Sequence, residues 1–151
     1  MSTYSFLSVQ GTIAGPGLLA SIGNGSQASD EGITVKRAGE QNTMTPGADG
    51  ATMNSLHAAK NGTIEVSLLK TSPVNAVLMQ AFNLQTSNPA IHGQNVISVR
   101  DTYRGDVVTA TGCAFAKFPD NAYGKEGAMM VWTFQCAVID ELLGTGSPSL
   151  V

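Results

Sequence analysis

A chain of 151 residues, 42% of them hydrophobic, is long enough for one domain with a normal core. Its formal charge of −3, with eight scattered Lys and Arg, excludes a sequence-independent grip on nucleic acid, which needs clustered cations. Charged residues make up only 13%, against about 25% in an ordinary soluble domain, so little repels a neighbouring molecule. Neutral polar faces on a β-rich domain and a surface given over to protein contacts both account for that deficit.

The opening MSTYSFLSVQG has neither a basic nor an apolar leader region, and no apolar run approaches a membrane span. The chain is therefore expected to fold in a cytoplasm, with no membrane partner. Residues 4–13 predict a strand, with Leu7 and Val9 on one face and Ser8 and Gln10 on the other. Gly15-Pro16-Gly17 turns into a short strand over 18–22, and the polar, Gly-rich stretch 23–32 reads as a loop. Over 33–37, Ile33 and Val35 alternate with Thr34 and Lys36, as in a half-buried strand.

Residues 42–62, NTMTPGADGATMNSLHAAKNG, are harder to place. Turn signals at both ends predict a hairpin-like excursion, far longer than the usual connection of about 4–6 residues. Met44, Met53 and Leu56 inside it are apolar, which a solvated loop does not need. Alternation returns over 63–70, where Ile64, Val66 and Leu68 oppose Thr63, Glu65 and Ser67.

Ser72 and Pro73 form a helix start, a cap followed by proline at the first helical position. Val74, Val77, Leu78, Ala81 and Phe82 then make one apolar stripe, and Asn88-Pro89 ends the region. Residues 95–103 and 106–117 predict a hairpin around Arg104-Gly105. The last strand, 128–139, places Met130, Trp132, Phe134, Cys136 and Val138 on one face. A Gly- and Ser-rich tail covers 144–151. The expected fold is mostly β: one antiparallel β-sandwich or barrel-like domain over 1–151, with one packed α-helix and a long extended loop or hairpin arm.

Chemistry-bearing patterns are sparse. His57 and His92 lie in separate loops with no ligand at metal spacing, and Cys113 and Cys136 read as buried free thiols, as a reducing compartment allows. No nucleophile elbow, phosphate loop or dinucleotide fingerprint occurs. The adjacent carboxylates Asp30-Glu31 and Asp140-Glu141 point to opposite faces of a strand, so neither is an acid–base pair. Arg104-Gly105-Asp106 is read as a hairpin turn rather than an adhesion motif. The chain is expected to be no enzyme and to carry no cofactor and no metal.

The segments TIAGPG (12–17), EGITV (31–35), NTMTPGADG (42–50), LLKTSPVN (68–75), GQNVISVRDTYRGD (93–106) and WTFQCAVID (132–140) together resemble bacteriophage tail tube proteins of contractile-tailed phages. The resemblance runs through nearly the whole chain, in order. It implies a fold related to the type VI secretion tube protein and subunits that form hexameric rings stacked into a hollow tube. The implied partners are the protein itself, a tail sheath protein, baseplate and tail terminator proteins, and phage DNA that passes through without specific binding. The implied location is the virion tail, assembled in the host bacterial cytoplasm. In such tubes a long loop reaches onto neighbouring subunits; here that is the 42–62 arm, with Met44, Pro46, Asp49, Met53, Leu56 and His57 as interface residues. Thr34, Lys36, Thr63, Glu65 and Ser67 are expected to face the lumen, with a nearby carboxylate neutralising Lys36. The competing readings are a monomeric β-sandwich module binding a glycan or peptide, for which Tyr103 and Tyr123 are the available exposed aromatics, and a small enzyme of unrecognised type.

Overall fold

The structure, a computed structural model, describes residues 3–146, apart from the side chains of 29–31. The end of the predicted tail (147–151) and the Asp30-Glu31 carboxylates lie outside the described residues. A short 3-10 turn, Phe6–Ser8, leads into strands β1 (Val9–Gly15), β2 (Leu18–Ser21), β3 (Ala28–Arg37), β4 (Asn42–Pro46), β5 (Thr52–Leu56) and β6 (Gly62–Leu69). Helix α1 (Val74–Thr86) follows, then β7 (Asn95–Asp101), β8 (Asp106–Lys117) and β9 (Met129–Leu142).

Seven strands form one antiparallel sheet in the order β2-β1-β7-β8-β9-β6-β3, while β4 and β5 pair only with each other. β2 and β3 are consecutive in the chain yet occupy opposite edges of the sheet. A flat seven-stranded sheet measures about 29 Å between its edge strands. Fully extended, the seven steps from Ser21 to Ala28 reach only roughly 23–25 Å, and that connection is itself turned, with Ser26 N–H bonded to Gly23 O. The sheet must therefore roll, and one continuous core fills the roll. The architecture is the barrel-like form of the expected fold.

Period-2 alternation decides which side chains enter that core. Ile64, Val66 and Leu68 of β6 and Met130, Trp132, Phe134 and Cys136 of β9 point inward. Phe115 touches Phe82, Trp132 and Phe134 in edge-on and tilted packing, and Phe118 bridges Phe82 and Trp132. α1 closes one side of this cluster through Leu78, Ala81 and the half-buried Val74 and Phe82. Its start falls one residue later than predicted: the helix begins at Val74 with Pro73, not Ser72, at the cap position, although Ser72 Oγ still accepts from Val74 N–H. Trp132 also donates its indole N–H to Asn75 Oδ1 at 3.0 Å, fixing the helix against β9. Further along, Gln85 and Asn95 exchange two side-chain hydrogen bonds of 2.8 Å, so a wholly buried polar pair is satisfied.

Four other predicted details change. Leu7 does not face inward with Val9: Ser5 Oγ accepts from Leu7 N–H and Ser8 Oγ donates to Ser5 O, tightening a 3-10 turn that leaves Leu7 75% exposed and buries Ser8. The loop predicted over 23–32 ends at Gln27, because β3 begins at Ala28, paired with Leu68, and carries its polar residues through a register irregularity before Ile33. Val77 sits at the margin of the helix stripe, whose buried line runs through Leu78, Ala81 and Gln85. Val138 is not on the core face; Ile139 takes that place. The cause is a bulge in β8, where Gly112 adopts the left-handed φ of 64° opposite Ala137 and shifts the alternation of both strands.

Candidate assembly interface

The 42–62 stretch forms the predicted hairpin. Threonine-rich β4 and β5 pair from Asn42↔Leu56 to Pro46↔Thr52, which leaves proline at the end of the ladder, where its missing N–H costs least. Asp49 Oδ1 accepts from Ala51 N–H, Gly50 N–H bonds Gly47 O, and Gly50 takes a φ of 88° that a side chain would resist. At the base, His57 N–H donates to Gln41 O, and Gln41 Nε2 donates to Ala59 O.

Register then sorts the predicted interface residues onto two faces. Met44, Pro46 and Leu56 lie on one face with Asn42 and Asn54; Met53 lies on the other with Thr43, Thr45 and Ser55. His57 shares that second face, its Nε2 2.7 Å from Thr43 Oγ1. Asp49 sits at the tip, where its carboxylate organises the turn. None of the described residues covers either face: Met44 is 59%, Met53 60% and Leu56 86% exposed. An isolated two-stranded hairpin is marginally stable at best in water, and its exposed apolar residues, Met44 and Leu56 on one face and Met53 on the other, make it a candidate docking element.

The proposed lumen residues also share one side. Thr34, Lys36, Thr63, Glu65 and Ser67 project away from the core, through the register Thr34↔Glu65 and Lys36↔Thr63. Lys36 Nζ lies 3.3 Å from Glu65 Oε1, so the neutralising carboxylate is Glu65 itself. Such an exposed pair adds about 0–1 kcal/mol of stability at most; its importance is to cancel charge. Ser67 departs from its neighbours in being buried. The face continues across β9 through Val131, Thr133 and Gln135.

Two surfaces were not predicted. Val77 and Leu84 are exposed along one flank of α1, Val77 beside Leu19 of β2, Met79 is exposed on the other flank, and α1 carries no charged residue at all. That absence was readable in the sequence. A groove of about 490 Å³ opens between β3 and the β7–β8 end of the roll, lined by Phe6, Ile33, Val35, Val99 and Val108 among others. At its mouth Asp101 accepts Ser8 Oγ at 2.8 Å and the N–H groups of Tyr103 and Arg104, with Arg104 Nε 3.8 Å away. The Arg-Gly-Asp tripeptide is consumed here internally: Arg104 bonds Gly146 O, and Asp106 accepts from Gly144 N–H. Of the exposed aromatics, Tyr123 already holds the Lys70 ammonium 3.9 Å above its ring. Among the described residues no group of three or more His, Cys, Asp or Glu converges, and no helix is long and apolar enough to cross a membrane.

Burial acts to raise the Asp101 carboxyl, but the hydrogen bonds from Ser8, Arg104 and Tyr103 and the nearby guanidinium outweigh it and hold the group below its ordinary 3.8. A carboxyl depressed on folding adds stability above its unfolded value and loses it as pH falls through the folded one. Asp101→Asn should therefore lower the denaturant midpoint at pH 7, and the gap to the parent should close below about pH 4. A gap unchanged between pH 7 and pH 3 would count against this role.

Solved structures share this arrangement. The tube-terminating cap of the anti-feeding prophage matches with a TM-score of 0.52 at 11% identity, over 95% of each chain. A chain of the extended PVC sheath–tube complex matches at 0.53 and 6% identity, over 89% of this chain and 88% of that one. One from the six-fold symmetrised anti-feeding prophage baseplate matches at 0.53 and 8% identity, over 94% and 97%. No curated protein matches. The rolled sheet is thus a fold shared with chains of contractile injection systems. Sequence narrows the class further: residues 1–144 match the profile of the bacteriophage PhiTE tail tube protein family, and the chain belongs to that family. It is a structural protein of the phage tail tube.

Proposed function

We propose that copies of this chain form hexameric rings that stack into the inner tail tube of a virion, the conduit for DNA delivery into the host. The observation that carries this reading is the free-standing hairpin with apolar residues on both faces. The sheath–tube, cap and baseplate origins of the similar structures, one of them six-fold, support it further. The implied neighbours are a contractile sheath, a baseplate and a terminator, with assembly in the host cytoplasm and no catalytic role. Negative-stain imaging of the purified protein across a concentration series tests the proposal: hollow tubes with six-fold end views are expected. A monomer at every concentration would favour the ligand-binding module instead, with the groove between β3 and β8 as its site.

In the proposed tube, Thr34, Lys36, Thr63 and Glu65 line the channel, while Ser67, on the same side of the sheet, is buried within the subunit. DNA must not adhere to that wall, and a face of small polar side chains with one internally cancelled ion pair suits such passage. A cryo-EM map of the assembled tube should place Glu65 on the channel side. Glu65 on the sheath-facing surface would sink the assignment.

A further inference from the structure

The geometry points to an oxidisable site at the centre of the sheet: we propose that Cys113 and Cys136 form an intrachain, cross-strand disulfide when a small two-electron oxidant such as hydrogen peroxide reaches them. The two are direct partners in the β8–β9 ladder, both face the core, and both are free thiols. Cys113 Sγ–H donates to Cys136 Sγ across 3.0 Å. A disulfide needs Cα atoms about 4.4–6.8 Å apart. Opposed antiparallel residues stand about 4.5–5.5 Å apart, so the backbone already meets that need. The sulfurs have roughly 1 Å left to close, next to a bulge at Gly112 that gives β8 local freedom. Peroxide reaches the pair through local opening of the sheet.

The hydrogen bond also divides the roles. Received from Cys113, it holds the Cys136 thiol below its ordinary value against burial; donated by Cys113, it pushes that thiol up, and burial adds in the same sense. Cys136 thiolate attacks one peroxide oxygen, the O–O bond breaks, and hydroxide leaves with the proton lost from the thiol, as water. Cys113 sulfur then attacks the sulfenic acid at Cys136. The S–S bond forms, the S–O bond breaks, and the departing hydroxide takes the Cys113 proton as a second water. Two thiols have lost two electrons and two protons, and one peroxide has become two waters. The bond closes residues 113–136 into a loop and ties together two central strands, which constrains the unfolded chain. On the tail-tube reading, it would form once a particle leaves a reducing cytoplasm; the chemistry itself does not depend on that reading.

The test is peptide mapping and intact mass of the full-length protein, treated with hydrogen peroxide, then denatured and alkylated. Expected are a mass lower by about 2 Da, a single cross-linked peptide pair joining Cys113 to Cys136, and a raised thermal midpoint that dithiothreitol reverses. Cys113→Ser should instead gain oxygen at Cys136. Both thiols alkylated after treatment, oxygen adducts in place of the link, or a link between two chains would each overturn the proposal. The map of the unmutated protein decides the matter even if the variant does not fold.

Discussion

Replacing residues 42–57 with a short Gly-Ser link should leave a folded monomer that builds no tubes. The hairpin pairs only with itself and rejoins the sheet through hydrogen bonds at its base, so its removal exposes no core residue. Far-UV circular dichroism and the denaturant midpoint should stay close to the parent's, while sedimentation and negative stain show no polymer. Finer substitutions divide the two faces. Met44→Ser with Leu56→Ser disarms one face, and Met53→Ser disarms the other. Normal polymerisation of the hairpin-less protein would remove the arm from assembly altogether. Loss of folding would instead show that the domain depends on it.

Trp132→Ala is the substitution expected to damage the fold most. The side chain is fully buried, packs on Phe115 and Phe118, and ties α1 to β9 through Asn75. Truncations of that kind cost about 3–5 kcal/mol, a large part of the usual stability of a domain. Phe82→Ala removes a half-buried ring from the same cluster, so its cost should lie at or below the lower end of that range. Urea unfolding of both variants checks the order. A Trp132→Ala loss below about 1 kcal/mol would mean that the aromatic cluster is not the centre of the core.

Alternation and capping made most elements legible. Ile64-Val66-Leu68 and Met130-Trp132-Phe134-Cys136 could be assigned to the core because a period of two survives along each strand. Ser72-Pro73 marked the helix start to within one residue because its chemistry is local. What failed was set by non-local register. Val138 and Ile139 exchange faces because of a glycine bulge in a neighbouring strand, which no pattern within 128–139 records. The interface residues could be named from their misplaced apolarity. Their division between two faces required the pairing of β4 with β5. The groove at Asp101 is built from β1, β3, β7 and β8, and only the roll of the sheet brings those segments together.

The two-faced hairpin also sets how polymerisation would begin. An arm that took a partner on each face would gain little from the first encounter between two subunits, because only one face would then be covered. On the proposed assembly, a newcomer at the rim of an existing ring would meet several contacts at once, the second made at a high effective concentration. Growth at an end should therefore greatly outpace spontaneous initiation, with a lag that preformed fragments abolish. A protein with so few surface charges could then persist as free subunits until a nucleating complex fixes where, and how many, tubes begin.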